Sequence, residues 1–465
     1  MSSESLKESK AKCSETEGAP KSFYRGTLFQ ILVVGVISFL GPGLWNANNS
    51  LGAGGALEPY LVNAGNSIVF ALMGLGCICS ALLVNTIGVK YTLILGTLGW
   101  APYSASLYQN NRYGTQWFVI VGAAICGISA GLYWAAEGAI VLAYPEHRKR
   151  GRYLAIWLAF KNSGQIVGGA INLGVNVNRS TGGKISYATL LAFVILQVPA
   201  LPISFLISNP QLVQREDGTK VKVDKRTSTV EQIKILGRTI ISRDMGFLLP
   251  LFFSSWFYWG YASTYLTLYF SVRARALASF LSAIMGVIAT TLLGFFLDSQ
   301  TIPLKKRARH AGIFVMTLFS GMLIWALIIQ HEYTHKNPGK LDWSSPGFGR
   351  RFGMYIMLNT AGNLVQNYLY WSVGSIGDGT SELTRATGLL RGIESWGQCA
   401  SFGINSSKFN PLYTVVINIV FWSLSVPPAW FSLSRIGGST SRHVDYSNAS
   451  EKRVEGVESS STEQA

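Results

Sequence analysis

Charge is scarce in this chain. Asp, Glu, Lys and Arg make up 13% of its 465 residues, about half the share of a soluble domain, which excludes an ordinary water-facing surface. Cysteine is sparse too. Cys77, Cys79, Cys126 and Cys399 lie in apolar stretches and Cys13 in the polar start, with neither a disulfide framework nor paired zinc spacing. A phosphate-cradling Walker loop is also missing. The chain therefore reads as a non-enzyme that needs no cofactor and no metal.

What is abundant is apolar: 49% hydrophobic residues and a mean hydropathy of +0.28 describe a polytopic membrane protein. Lys and Arg number 39 against 23 acidic residues. Nucleic-acid binding would need that charge gathered on one soluble face, but it lies between apolar stretches, so topology accounts for it. The apolar stretch after the polar start is too long for a cleavable signal.

A span needs about 20 apolar residues. On that ruler the first group covers 26–47, 60–84, 91–108, 116–143, 153–174 and 187–208, and the second 245–270, 277–297, 310–330, 352–376, 386–404 and 412–433. The second, tenth and eleventh are the most polar. The loops on the side of the termini carry 27 Lys and Arg and the opposite loops 10, which predicts cytoplasmic termini in the plasma membrane or an endomembrane. The predicted layout is a disordered tail (1–25), a six-helix bundle (26–208), a basic cytoplasmic linker (209–243), a second six-helix bundle (244–433) and another disordered tail (434–465). Asn178 and Asn405 head glycosylation sequons on the opposite face.

The chain repeats itself. GQIVGGAIN (164–172) returns as GQCASFGIN (397–405), Leu132-Tyr133-Trp134 as Leu369-Tyr370-Trp371, and Leu196-Gln197-Val198-Pro199 as Leu424-Ser425-Val426-Pro427. The matches come in order, six spans apart and in one orientation, which argues for a tandem six-helix unit related by an axis along the membrane normal. Two loops strengthen the case: Ala81 to Lys90, through Asn85, and Gly294 to Asp298 followed by KKRAR. Both resemble the Gly-x-x-x-Asp-x-x-Gly-x-Arg/Lys loop of major facilitator transporters, in which a helix-end carboxylate latches one conformation. Asn85 in place of Asp keeps the hydrogen bonds and loses the charge.

PGLWNANNSLGAGG (42–55), GLYWAAEGA in the fourth span and GSIGDGTSELTRATGLLRGIESWGQ before residue 399 resemble the uncoordinated-93-like family of the major facilitator superfamily, in its fungal-type branch. The resemblance covers about residues 25–435. It implies an all-α, twelve-helix fold of two parallel repeats and a transporter-like or channel-regulatory role. Founding animal members are described as potassium-channel regulators and others as receptor-trafficking partners, so the resemblance supplies no substrate.

Ionisable groups inside spans are costly and mark functional candidates. Glu137 in the fourth span has two readings open, a cavity-facing proton or cation site and a structural pair with Lys161. Arg391 and Glu394, three residues apart, share a helical face, and together with Lys161 they suit a charge network between the repeats, alongside the loop residues Asn85, Lys90 and Asp298. Asn46, Asn48 and Asn49, beside the helix-disrupting Pro42, are substrate-cavity candidates. So is the polar and aromatic stripe Asn363, Gln366, Asn367, Tyr370 and Trp371, which interhelical hydrogen bonding would equally use. The expected function is secondary transport of a small organic solute or ion by alternating access, with protons as the candidate coupling ion. The alternative is a non-transporting regulatory or trafficking subunit with a channel or receptor partner. Lipid surrounds the protein in either case.

Overall fold

A computed structural model describes residues 22–146, 149–221, 229–299, 301–376 and 380–436. Most of the two tails, and 222–228 of the linker, lie outside the described residues. Among the described residues the chain is helical, and twelve long helical segments run in order, with shorter helices such as Ser80–Ile87 and the linker helix Thr229–Ile241 between them: α1 (Thr27–Asn49), α2 (Tyr60–Ile78), α3 (89–113), α4 (Trp117–Ala143), α5 (Arg150–Asn176), α6 (Tyr187–Ser204), α7 (249–269), α8 (Val272–Asp298), α9 (Leu304–His335), α10 (Phe348–Ile376), α11 (Thr380–Ile404) and α12 (Pro411–Leu433). Seven of these, α1, α2, α4, α6, α8, α9 and α12, are long and apolar enough to span a bilayer by composition alone. Although α2 looked polar in sequence it passes this measure, while α10 and α11 are unbroken helices of 29 and 25 residues. Pro42 lacks the N–H a regular helix needs, and α1 adopts a π-helical turn over Phe39–Gly43.

The repeated phrase now has a physical account. A Cβ on Gly164 would stand 2.5 Å from Phe39 O of α1, and one on Gly397 would stand 1.8 Å from Phe253 O of α7. Only glycine lets α5 and α11 lie that close to the first helix of their own repeat. At the other end of the phrase, Asn172 donates to Ser279 Oγ of α8 (3.0 Å), and the Asn405 carbonyl accepts from Asn63 of α2 (2.9 Å). Each copy therefore ends on the opposite repeat. The Gly127 and Gly131 pair plays a similar packing part, because a Cβ on Gly131 would stand 2.9 Å from Gly76 Cα of α2.

On the side away from the termini, hereafter the far side, the repeats are tied together. After α1 the chain turns through Leu51–Gly55, where Gly52 and Gly55 take positive φ and a Cβ on Gly55 would strike Ile185 at 2.4 Å. Arg275 of α8 reaches into this turn. It is 1% exposed and donates to the carbonyls of Leu51 (2.8 Å), Gly52 (2.7 Å), Ala56 (2.9 Å) and Gly183 (3.2 Å). Ala53 N donates to Ser263 Oγ, and Tyr355 to Ser50 O. Beside the clasp, Asp342 binds Arg273 and Ser271, and the Arg273 guanidinium holds its carboxyl well below the usual carboxylate range. Toward the side of the termini α2 stays against α11, where a Cβ on Gly388 would stand 2.9 Å from Cys77 O. The hydrogen bonds and close approaches between α5 and α8, in contrast, lie at Gly169 and beyond it toward the far side.

The loop residues behave differently from one another. Lys90 donates to Phe205 O, and Asp298 is exposed at the end of α8. At the start of α9 Arg307 donates to the Ser299 carbonyl of the preceding loop.

Candidate functional site

Glu137 is 1% exposed in α4. The hydroxyls of Ser38 (2.6 Å) and Tyr133 (2.7 Å) and the indole N–H of Trp157 (2.6 Å) converge on its Oε1, while Oε2 has no hydrogen-bond partner in the protein. The expected ion pair with Lys161 is not formed. Trp157 intervenes: its N–H serves Glu137, while its ring lies 5.5 Å from Lys161 Nζ, which also stands 4.7 Å from the Trp134 ring centre. Among the described residues no carboxylate oxygen lies within 4 Å of that ammonium. Two aromatic faces hold it in place of an acid.

Arg391 of α11 also sits over Trp134, 4.9 Å from the ring centre. Its guanidinium donates to Glu394 (2.8 Å), whose other oxygen accepts from Gln366 of α10 (2.8 Å). One indole ring of the first repeat thus meets cations from both repeats. Lys161 and Glu394, which occupy equivalent places in the two copies, are joined to this group through Trp134 and Arg391.

Next to it lies a cavity of about 10 Å³ lined by Asn46, Phe70, Trp45, Trp100, Trp134 and Arg391 among others. That is close to the space of one water, so the cavity as it stands is too small for a solute. Of the three asparagines proposed for a cavity, only Asn46 lines it. Asn49 belongs to a packing chain in which it accepts from Asn66, which accepts from Tyr103. Asn48 is fully buried and its amide has no partner in the protein.

The α10 stripe serves packing for the most part. Asn363 bonds Asn359 O of its own helix, Asn367 donates to Thr290 O of α8, and Trp371 stacks on Tyr368. Gln366 alone joins the charge group through a hydrogen bond. The aromatic residues of α7 are core: Tyr258, Tyr261 and Tyr265 are buried, and Tyr265 stacks on Tyr333. Of the sequons, Asn178 is exposed. Asn405 is 3% exposed and its amide donates to Ser401 O, which removes it as a glycan acceptor. Asn85 is partly exposed, on the short helix Ser80–Ile87 that follows α2.

Several site residues escaped sequence reasoning. Arg275 counted only as a loop charge, and nothing in the spacing marked Ser38, Trp157, Trp45 or Trp100. The expectation of neither a zinc-protease HExxH nor a nucleophile elbow also fails at the level of letters, since the chain carries both strings. HEYTH (331–335) has zinc-protease lettering, and His331 and His335 stand one turn apart with ring centres 4.9 Å apart. Glu332, however, is committed to Arg350 (2.7 Å), and the described residues offer no third ligand. GISAG (127–131) has the letters of a nucleophile elbow but lies inside α4, where no strand-to-helix turn exposes Ser129.

The family described as "Ion channel regulatory protein UNC-93" matches residues 55–331. The chain belongs to the UNC-93 family. Among relatives, "Notoamide biosynthesis cluster protein O'" of Aspergillus versicolor is 38% identical across 90% of this chain and 91% of that one. "UNC93-like protein 1" of Arabidopsis thaliana is 27% identical across 88% and 90%. A POT family transporter crystallised with 5-aminolevulinic acid superposes with a TM-score of 0.61 at 11% identity, covering 88% of this chain and 96% of that one. A D-xylose-proton symporter does so with a TM-score of 0.56 at 12% identity, covering 87% and 97%. This UNC-93 family member therefore has the major facilitator fold, twelve transmembrane helices in two six-helix parallel repeats, and is a multi-pass integral membrane protein.

Proposed function

We propose that the protein is a secondary transporter of a small organic solute or ion working by alternating access. The observation that carries this reading is the asymmetry of the junction. Carbonyl clasps tie the repeats on the far side, where α5 also bonds α8 and approaches it closely, and a buried charge group drawn from both repeats lies deeper in the junction. Rocking of one repeat against the other would exchange these contacts. Glu137, with one oxygen fully used and the other free, is the candidate proton carrier, and Lys161, Arg391 and Glu394 form the network that senses it. The relative named for a biosynthetic cluster favours an organic cargo. On this reading the units are residues 26–208 and 244–433, joined by a basic linker, with cytoplasmic termini, Asn178 facing out and no catalytic activity.

The family's printed description favours a second reading, a regulator of an ion channel built on the same bundle. Vesicles with and without the protein separate the two when solute accumulation is followed with and without a pH gradient. Transport requires accumulation that depends on the protein, and proton coupling at Glu137 requires that its dependence on the pH gradient be lost in Glu137→Gln. Absence of flux under every condition would move the assignment to the regulator.

A further inference from the structure

The small cavity is unusual in what its polar groups can do. Trp45 Nε1, Trp100 Nε1 and Arg391 Nε are buried, belong to residues that line it, and have no hydrogen-bond partner in the protein. All three can only donate. Asn46, which also lines the cavity, adds an amide that can donate or accept. Glu394 is engaged by Arg391 and Gln366, and Oε1 of Glu137 by Ser38, Tyr133 and Trp157, and neither carboxylate lines the cavity. Around these donors stand aromatic faces. Trp45 packs against Phe70 (5.8 Å between ring centres) and Trp100 (6.2 Å), and Trp134 adds a further face.

Buried donors without acceptors are costly, and native structures keep few of them. The cavity has space for about one water, and a ligand oxygen placed there on opening would supply an acceptor that these donors lack. We infer that this cavity is the closed form of a binding site for an aromatic solute carrying a carbonyl or carboxylate oxygen, with Trp45, Trp100 and Arg391 as donors to that oxygen. Organic cations are rejected, since the cavity presents no acidic group and Lys161 and Arg391 both stand at the Trp134 wall. The inference rests on the transporter reading for the use of the site, but it concerns binding, which is measured separately.

The test uses the full chain in lipid nanodiscs and three probes that share one ring: phenylacetate, phenylacetamide and phenethylamine. The acid and the amide are expected to bind, and the amine to bind at least about tenfold more weakly. The acid-to-amide ratio identifies which oxygen the site takes. Trp45→Phe and Trp100→Phe keep a ring and remove one donor each, so each is expected to weaken the acid and amide by roughly fivefold, the worth of one hydrogen bond. Thermal melts confirm that both variants are folded. Equal binding of the amine, unchanged affinities in both folded variants, or no binding of any probe to cooperatively melting protein would each overturn the assignment. Binding without flux keeps this inference and removes transport. Flux of other solutes without probe binding does the reverse.

Discussion

Glu137 and Glu394 are both sealed from solvent, at 1% and 0% exposure, yet they are neutralised in different ways. Glu394 has a guanidinium three residues away on its own helix and an amide from α10, so both of its oxygens are occupied. Glu137 has three neutral donors crowded onto one oxygen and none on the other, and the nearest lysine is turned to tryptophan rings instead. A buried carboxylate paired with an arginine is costly to separate but locked into its charge state, whereas one held by dipoles can take up or release a proton without leaving a stranded partner. The first suits a fixed tie between helices α10 and α11, the second a group that changes.

The comparison breaks most visibly at the paired site. Glu394→Ala leaves the Arg391 guanidinium buried without a counter-charge and is expected to cost about 3–5 kcal/mol, read as a large fall in melting temperature of purified protein. A melt indistinguishable from the native chain would show that Arg391 has another partner. Glu137→Ala removes the shared acceptor of three donors, which keep only their bonds to one another and to Val34 O, and is expected to cost about 1–3 kcal/mol. Glu137→Gln retains an acceptor and is expected to change stability by less than about 1 kcal/mol while abolishing the response of uptake to a pH gradient. Gradient-driven uptake that survives in this variant would assign proton coupling elsewhere. Lys161→Met removes a cation with no carboxylate oxygen within 4 Å, so its aromatic contacts are the main loss, about 0.5–1 kcal/mol. A larger loss in this variant would reveal an ion pair with Glu137 after all.

The smallest effect is expected from pH acting on the far-side clip. The Asp342 carboxyl is depressed chiefly by its hydrogen bonds to Arg273. Its stabilisation is therefore fully present above the unfolded carboxylate value of about 3.9 and is lost only as pH falls through the lower folded value. Between pH 8 and pH 5 the contribution of this pair should stay constant. If Asp342→Asn removes a pH-dependent melting difference inside that window, the clip is not intact.

Much of the scaffold was readable from composition and repetition. Apolar runs mark helices because a bilayer leaves backbone groups no other partner. Gly164 and Gly397 stand at equivalent places because equivalent helices must approach equally closely in both copies. The site was less legible. Glu137, Lys161, Arg391 and Glu394 stood out as charges in apolar stretches, and the structure gathers the four around two tryptophans, with Trp157 standing between Glu137 and Lys161. Helical spacing shows which residues share a face and not which neighbour the face meets. The α10 stripe illustrates this: Gln366 meets Glu394, while Asn363 and Asn367 are spent on backbone carbonyls. Arg275 was invisible for a different reason. Its acceptors are carbonyls, which every residue has, so no sequence pattern announces them.

By itself, then, the order of residues determined that this chain crosses a membrane many times as a duplicated unit, since hydropathy and a tandem echo are local properties that survive without coordinates. Only the tertiary structure decided which buried charges touch, which tryptophan stands between them and which end of the junction is closed, because each depends on distances between helices far apart along the chain.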